Sequence, residues 1–288
     1  MTNDRPLVTF ALFAYNQEKY IREAVEGAFS QTYAPMEIIL SDDSSSDRTF
    51  DIMKELASSY QGPHTVRCNR NTLNLGIARH VNRANEMAQG ELIVVAAGDD
   101  ISVPERVATI VDAYLKSKRQ SHYFYSVVQK INEAGDLMEL SQSPGGGNAH
   151  SKLLTGLSSF PLAIGAGQAW TKKLTTTFRP LLSQVWAEDQ ILGFRGRLMG
   201  DVGFINSALV YYRVGEGIST KKKRFDIVKY FHGKYQHCVI LLQRSLDAHA
   251  KKNYFVALVI LIKAAAFFVA LPISPFISIL NKVLAKHR

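Results

Sequence analysis

The sequence contains little cysteine, and neither cysteine belongs to a recognisable pattern. Cys68 and Cys238 lie far apart, and no Cys-x-x-Cys spacing or Cys/His cluster surrounds either of them. A disulfide framework and a structural zinc site are therefore not expected, and the composition fits a reducing compartment. No positively charged stretch followed by an apolar run precedes the first predicted strand, so we expect no secretory signal.

The usual glycine-rich phosphate-binding motifs are also missing. There is no Gly-x-x-x-x-Gly-Lys-Ser/Thr sequence, and the first predicted strand is followed by Tyr15 and Asn16 instead of Gly-x-Gly-x-x-Gly. A P-loop kinase and an ordinary dinucleotide-dependent oxidoreductase are both disfavoured. The stretch from Ser141 to Ser151 has no apolar period, and its three glycines predict a loop, a candidate for a mobile lid, more than a phosphate cradle.

Positive charge is scarce in most of the chain and concentrated at its end. The net charge is +9, but residues 219–288 carry 13 Lys or Arg against two acidic residues, and the preceding 218 residues carry 21 against 23. The excess of basic residues lies beside the most apolar run of the chain. This pairing predicts an anionic membrane surface as partner and argues against nucleic acid.

Alternating strand and helix patterns predict an α/β fold with a mostly parallel sheet covered by helices. Apolar β-forming runs mark the strands, and spacings of three and four mark the helices. We predict strands at 7–14, 36–40, 64–68, 92–97, 123–128 and 208–213. We predict helices at 18–31, 77–89, 104–116, 188–199 and 225–250, and another that Ser46 or Asp47 caps and that extends to Tyr60.

Two acidic pairs follow predicted parallel strands. Asp42 and Asp43 follow the second strand, and Asp99 and Asp100 follow the fourth. Because the carboxyl ends of such strands meet at one edge of the sheet, the pairs are expected to converge. Clustered carboxylates repel one another, and a divalent cation is the simplest compensation. Either pair alone fits helix capping equally well, whereas both together favour a metal site.

Four ordered segments resemble the family 2 glycosyltransferases with the GT-A fold, which are inverting enzymes that use nucleotide sugars. They are AYNQEKYIREAVEGAFSQTY, EIILSDDSSSDRT, NLGIARHVNRANEMAQGELIVVAAGDD and EDQILGFRGRLMG. The resemblance extends from Leu7 to Arg213 and implies a Rossmann-like, mostly parallel sheet flanked by helices. Many members of this family build bacterial polysaccharides.

The resemblance implies roles at the nucleotide-sugar site. Tyr15 matches an aromatic ring near the nucleotide base, and Asp43, beside Asp42, matches the acid that hydrogen-bonds the base or ribose. Asn74 and Gly76 match the turn before the next helix, although an ordinary Asn-Gly turn explains them equally well.

The resemblance also implies a divalent metal, Mn²⁺ or Mg²⁺, bound by Asp99 and Asp100. Many relatives carry Asp-x-Asp-Asp here, whereas this chain has Ala97 at the first position. Many relatives also carry a His shortly after the position of Arg213, and here there is none. Arg213, and the basic cluster from Lys221 to Arg224, are candidates to bind the diphosphate instead, although a solvated loop explains most of that cluster.

Glu188 and Asp189 match the acidic pair that carries the catalytic base. We predict Asp189 as the base and Glu188 as its neighbour, because an inverting displacement needs one carboxylate beside the acceptor hydroxyl. An acidic first turn of a helix is the alternative explanation.

The apolar stretch from Tyr254 to Leu271 contains one charge, Lys263, and is interrupted afterwards by Pro272 and Pro275. Its length barely matches a bilayer core and both flanks are basic, so a helix in the membrane interface is favoured over a span. A buried helix that completes the domain is the alternative. We expect a cytoplasmic protein attached peripherally to the inner face of the plasma membrane.

The resemblance implies a GT-A catalytic domain at 1–218, with a nucleotide-sugar-binding half at 1–130 and an acceptor-binding half at 131–218. The charge and hydropathy of residues 219–288 predict a basic helical, membrane-interfacial region. The predicted function is sugar transfer from a nucleotide-diphosphate donor to a hydroxyl of a saccharide, polyprenyl-linked, in synthesis of a bacterial envelope polymer. An inactive sugar-nucleotide-binding scaffold is a rival, but such a binder needs no base. A nucleotidyltransferase is another, but it needs a glycine-rich basic loop after the first strand.

Overall fold

The sheet is built outward from a fully buried central strand. The computed structural model describes residues 5–141, 164–215 and 227–269. In it, strand β1 (Val8–Ala14) pairs in parallel with β2 (Met36–Asp42) on one side and with β4 (Leu92–Ala97) on the other. These runs read as continuous apolar sequence because helices cover both faces of a parallel sheet.

Within the described residues the strand order is β3-β2-β1-β4-β8-β6-β9-β5, and β7 pairs with β6 at the side. The remaining strands are β3 (Thr65–Arg70), β5 (Ile101–Ser102), β6 (Tyr123–Ile131), β7 (Leu137–Leu140), β8 (Gln168–Thr171) and β9 (Val202–Arg213). Strand β8 is antiparallel to both β4 and β6, so it joins the first half of the sheet to the second. The mostly parallel α/β architecture predicted from the sequence is confirmed.

Six helices accompany this sheet in the described residues: α1 (Ile21–Phe29), α2 (Thr49–Ser59), α3 (Ile77–Met87), α4 (Arg106–Lys116), α5 (Lys172–Thr177) and α6 (Glu188–Met199). The main core lies between the sheet and α1, α2 and α4 and includes Phe10, Leu12, Ile38 and Val94, all at 0% exposure. Burial of large apolar side chains is the dominant stabilising term for such a layer structure.

The predicted element boundaries agree with the structure to within a few residues, except that β9 begins six residues earlier than expected. Strands β5, β7 and β8 and helix α5 were not predicted. The predicted loop at 141–151 lies, apart from Ser141, outside the described residues. So do the basic cluster at 221–224 and the proline-interrupted stretch after residue 269.

The chain packs into two compact units, residues 1–221 and residues 222–288. The predicted division after residue 218, and the halves that meet at 130, remain predictions. In the second unit, α7 (Ile227–Ala250) and α8 (Tyr254–Val269) pack against each other. Ser245 Oγ of α7 donates to the carbonyl of Ala257 in α8 at 2.9 Å, and Val239, Ile240, Val256 and Ile260 are buried.

Among the helices within the described residues, none combines the length and the apolar character that crossing a bilayer would require.

Candidate active site

The carboxyl ends of β1, β2 and β4 meet at one edge of the sheet. The amide of Asp43 donates to the carbonyl of Ala14 at 2.9 Å, and the amide of Gly98 donates to the carbonyl of Phe13 at 2.8 Å. The loops after these three strands therefore start side by side. Tyr15 stands in the first of them with its side chain exposed.

Asp43 holds the loop that precedes α3. Its Oδ1 accepts from the amide of Leu75 at 2.9 Å and from Asn71 Nδ2 at 2.8 Å, and its Oδ2 accepts from the amide of Gly76 at 2.9 Å. The Gly76 amide also reaches Asn74 Oδ1 at 3.0 Å, and Gly76 has a φ of +73°, which favours glycine. Asp43, Asn74 and Gly76 thus form one cluster, and their contact with a nucleotide stays a prediction.

Asp42 is fully buried and shapes the turn after β2. Its Oδ2 accepts from the amide of Ser45 at 3.0 Å and lies 3.4 Å from Arg70 Nε, and its Oδ1 accepts from the Ser45 hydroxyl. Ser44, two residues after Asp42 in this turn, has a φ of +64°. Left-handed backbone at a non-glycine residue is strained and is concentrated at functional sites. Asp42 therefore stabilises an unusual backbone at the edge where the site lies.

His80 is a member of this edge that sequence reasoning missed. It is buried on α3, its Nε2 lies 2.7 Å from Ser41 Oγ, and its ring meets Phe13 edge to face at 4.9 Å between centroids. Burial lowers the pKa of His80. Its position in the sequence could have indicated this burial, because His80 lies on the same face of α3 as the buried residues Val81 and Ala84.

The turn after β4 contains Asp99 and Asp100, and we call it the acidic turn. Its two carboxylates have different surroundings. Asp100 is 2% exposed, and its Oδ1 accepts from the backbone amide of Arg213 at 2.8 Å, whereas Asp99 is partly exposed. Burial raises the pKa of Asp99, and burial together with the charge of Asp99 raises the pKa of Asp100 well above its usual range. Two neighbouring anions in a poorly solvated turn call for positive charge close by.

Arg106, the first residue of α4, supplies part of that charge. It is fully buried, and its guanidinium donates to the carbonyls of Val95 and Ala166, both at 2.6 Å, and to Ser102 Oγ at 2.8 Å. Burial lowers the pKa of Arg106 to about 9, while the charge of Asp100 acts in the opposite direction. Arg106 therefore remains cationic at neutral pH and connects β4 with the segment before β8.

That segment leads to the second acidic pair, at the start of α6. A side-chain carbon placed on Gly165 would lie 3.5 Å from Glu188 Oε1, so Glu188 lies directly beside this glycine. Burial raises the pKa of Glu188 to about 8, with a further contribution from the charge of Asp189. Glu188 thus holds a proton at neutral pH.

The two acidic pairs are connected through neighbouring residues. Arg106 contacts the carbonyl of Ala166, and Ala166 follows Gly165, which Glu188 flanks. The charge of Asp100 also raises the pKa of Arg106. The structure accordingly places the predicted residues in three adjoining groups: the Asp43 cluster with Tyr15, the acidic turn with Arg213, and the pair on α6.

The oxygen atoms of the acidic turn fit a divalent metal ion that is also bound by the phosphate of a substrate. Within the described residues, no group of three or more His, Cys, Asp or Glu side chains is arranged to hold a metal ion. Asp99 offers hard carboxylate oxygens, and Asp100 has one oxygen engaged by Arg213. Mg²⁺ and Mn²⁺ are commonly bound through one or two carboxylates, with phosphate and water completing the shell.

Comparison with solved structures places this architecture in a known class. The fold superimposes on Staphylococcus aureus TarS 1–349 in complex with UDP-GlcNAc with a TM-score of 0.60 and 18% identity, covering 93% of this chain and 74% of that one. It superimposes on the mannosyltransferase PcManGT from Pyrobaculum calidifontis, in complex with GDP-Man and Mn²⁺, with a TM-score of 0.57 and 18% identity, covering 98% and 81%. The chain therefore has the GT-A glycosyltransferase fold.

Sequence comparison then gives the family. Residues 9–156, just over half of the chain, match the model for glycosyl transferase family 2, and the chain belongs to this family. It is 35% identical over 121 residues to the putative glycosyltransferase EpsE of Bacillus subtilis, covering 42% of each chain. It is 28% identical over 233 residues to the Escherichia coli chondroitin synthase, covering 80% of this chain and 32% of that protein. The chain thus spans less than half the length of these two curated relatives.

The raised pKa of Glu188 predicts a pH-dependent stability. An ordinary glutamate in the unfolded chain ionises near pH 4.5, whereas the folded protein keeps this proton up to about pH 8. Stability therefore falls as pH rises through this window, because the unfolded chain binds fewer protons. We expect Glu188→Gln to raise the melting temperature relative to the unmodified protein, and this difference to grow between pH 5 and pH 8.

Thermal unfolding followed by circular dichroism at several pH values measures this effect. Glu26→Gln, at an exposed position on α1, reports what any Glu-to-Gln replacement contributes. A difference for Glu188→Gln that stays constant from pH 5 to pH 8 would contradict the assignment.

Proposed function

We propose that the protein is an inverting glycosyltransferase that moves a sugar from a nucleotide-diphosphate donor to a hydroxyl of a saccharide. The observation that carries this proposal is the division of acidic groups into two places. One pair stands at the end of β4, beside the Asp43 cluster, and the other begins α6, with the buried Arg106 between them. A displacement with inversion needs a leaving-group side and an acceptor side, and in this proposal the pair after β4 serves the first and the pair on α6 serves the second.

The loops after β1, β2 and β4 form the donor side in this proposal. Tyr15 offers an exposed ring for the base, and the Asp43 cluster fixes the neighbouring loop. The similar structures TarS and PcManGT are described with UDP-GlcNAc and GDP-Man, which supports a nucleotide sugar as donor.

Asp99 is the side chain we assign to the divalent metal, because it is the partly exposed member of its pair. Asp100 supports the turn from inside through the amide of Arg213. When bound, Mn²⁺ or Mg²⁺ would neutralise charge on the donor diphosphate. The description of PcManGT with Mn²⁺ agrees with this assignment.

Asp189 is the base in this mechanism. It takes the proton of the acceptor hydroxyl while that oxygen attacks the anomeric carbon and the bond to the diphosphate breaks. Glu188 is protonated at neutral pH because burial raises its pKa to about 8. Of the two carboxyl groups, Asp189 is therefore the one that we assign to the acceptor hydroxyl.

A polysaccharide under synthesis is the acceptor we propose, presented on a lipid carrier at a membrane. The relatives include a chondroitin synthase, which supports a saccharide acceptor. The exposed apolar residues of α8 support a lipid carrier as the form in which the acceptor is presented.

Donor binding is the first test. We expect Mn²⁺ to raise the melting temperature of the protein only modestly by itself and more strongly together with UDP-GlcNAc or GDP-mannose, because ligands that bind the folded state stabilise it. Asp99→Asn should remove the Mn²⁺-dependent part of the shift. Asp112→Asn, on the exposed face of α4, is the control. If neither nucleotide sugar stabilises the protein with or without metal, the donor assignment fails.

Loss of the base is the second test. Asp189→Asn is nearly isosteric, so donor affinity should stay within about threefold while kcat falls by about 10² or more, the usual scale for a general base. Release of the nucleoside diphosphate in the presence of saccharide acceptors measures kcat. If Glu188→Gln is the slow variant and Asp189→Asn keeps its rate, the roles within the pair are reversed.

One face of α8 supports attachment to a membrane. Phe255, Leu258 and Ile262 lie on one side of this helix and are 72%, 56% and 59% exposed, whereas Val256 and Ile260 on the other side are buried. The helix has 16 residues and is about 24 Å long, shorter than the hydrocarbon core of about 30 Å. Exposed Lys251 and Lys252 precede it. An apolar face with flanking basic residues fits the interface of an anionic bilayer.

Flotation with liposomes is the third test. The full chain should float with phosphatidylglycerol vesicles, and high salt should weaken but not abolish this, because apolar burial persists when charge is screened. A triple variant Phe255→Ser, Leu258→Ser, Ile262→Ser should lose binding by about tenfold or more, since each buried apolar side chain contributes about 1.5–3 kcal/mol. The matched triple variant Leu73→Ser, Leu115→Ser, Leu137→Ser replaces exposed leucines elsewhere and should float. Unmodified protein that stays at the bottom would contradict membrane attachment.

A further inference from the structure

Arg213 has surroundings that its expected role does not explain. It is the last residue of β9, and its side chain is 4% exposed although it stands at the edge of the candidate site. A ligand of a diphosphate presents its guanidinium to solvent, because bidentate contact with phosphate needs free N–H groups. The guanidinium of Arg213 instead contacts other residues of the protein.

Arg213 holds the acidic turn at two points. Its backbone amide donates to Asp100 Oδ1 at 2.8 Å, and its Nε donates to the carbonyl of Asp99 at 3.1 Å. The same residue therefore fixes the carboxylate of Asp100 and the main chain of Asp99. Asp99 is left as the partly exposed residue of the turn, and its carboxylate is hydrogen-bonded by the side chain of Gln17.

The rest of the guanidinium is occupied by two further segments. Nη1 donates to the carbonyl of Glu133 at 3.0 Å, in the turn between β6 and β7, and Nη2 donates to Glu23 Oε2 of α1 at 2.6 Å. Its central carbon lies 4.5 Å from the centroid of the Tyr20 ring. Arg213 thus joins the acidic turn to α1 and to the β6–β7 turn.

We infer that Arg213 is a positioning residue that fixes Asp99 for the metal, and that it does not bind the donor diphosphate. The inference rests on the proposed function. To reach a diphosphate, Arg213 would have to give up the ion pair with Glu23 and its contacts with main-chain carbonyls, in a place where water cannot replace them. Metal affinity depends on such supporting contacts, and their loss typically costs 10–100-fold.

Binding of UDP and of GDP, measured by calorimetry with EDTA and then across a Mn²⁺ titration, separates the two roles. For Arg213→Lys we expect metal-free nucleotide affinity within about twofold of the unmodified protein. The Mn²⁺ concentration that gives half of the maximal binding should rise about 10–100-fold. A tenfold loss of metal-free affinity would instead identify Arg213 as a diphosphate ligand and overturn the inference, and so would an unchanged Mn²⁺ requirement.

Glu23→Gln covers the case in which Arg213→Lys does not fold. Glu23 is half exposed, and replacing it by Gln removes only the ion pair with Arg213. The Mn²⁺ requirement should still rise by about threefold or more. The matched control is Arg22→Gln, which breaks the exposed ion pair of Arg22 with Glu55, 3.0 Å long, on the same helix and should change nothing. A Glu23→Gln protein with the Mn²⁺ requirement of the unmodified protein overturns the inference.

Failure of the proposed function gives a different result. If the unmodified protein binds neither nucleotide at any Mn²⁺ concentration, the donor assignment and this inference both fall. If it binds with Mn²⁺ and Arg213→Lys departs from the expected pattern, only the positioning role of Arg213 falls.

Discussion

Two buried arginines flank the acidic turn at the end of β4: Arg213 by hydrogen bonds and Arg106 through the charge of Asp100. Arg106 is the first residue of α4 and contacts β4 at Val95, and Arg213 is the last residue of β9. A buried guanidinium is costly unless hydrogen bonds and an opposite charge compensate it, and a buried carboxylate is costly for the same reason. The charge of Asp100 offsets part of this cost for Arg106, and the ion pair with Glu23 offsets part of it for Arg213.

The same arginines connect parts of the chain that are distant in sequence. Arg106 joins β4 to the segment before β8, and Arg213 joins the acidic turn to α1 and to the β6–β7 turn. A buried hydrogen bond stabilises the protein only while its geometry is good, because no water is available to replace it. These connections therefore restrict how the loops can move relative to the sheet. The proposed metal would be held by Asp99, and such restriction would keep this side chain in place.

Much of the sheet could be predicted from local pattern, whereas the antiparallel strand at its centre could not. Runs such as 92–97 are apolar throughout and mark buried parallel strands directly. Strand β8 has four residues and gains its place only from pairing with β4 and β6, which are distant in sequence. The burial of Arg213 could not be predicted for a similar reason. Its partners come from three separate segments of the chain, and no local sequence pattern indicates that they meet.

The acidic pairs show where sequence patterns stop being informative. Asp99-Asp100 and Glu188-Asp189 each contain two carboxylates whose sequence does not distinguish them, yet adjacent side chains leave the backbone in different directions and meet different surroundings. In the first pair, Asp100 is buried against an amide and Asp99 is not. In the second, burial gives Glu188 a proton at neutral pH. The two members of each pair therefore differ in burial or in protonation, although they are neighbours in sequence. The division follows from desolvation, which acts on each carboxylate separately and cannot be read from the dipeptide.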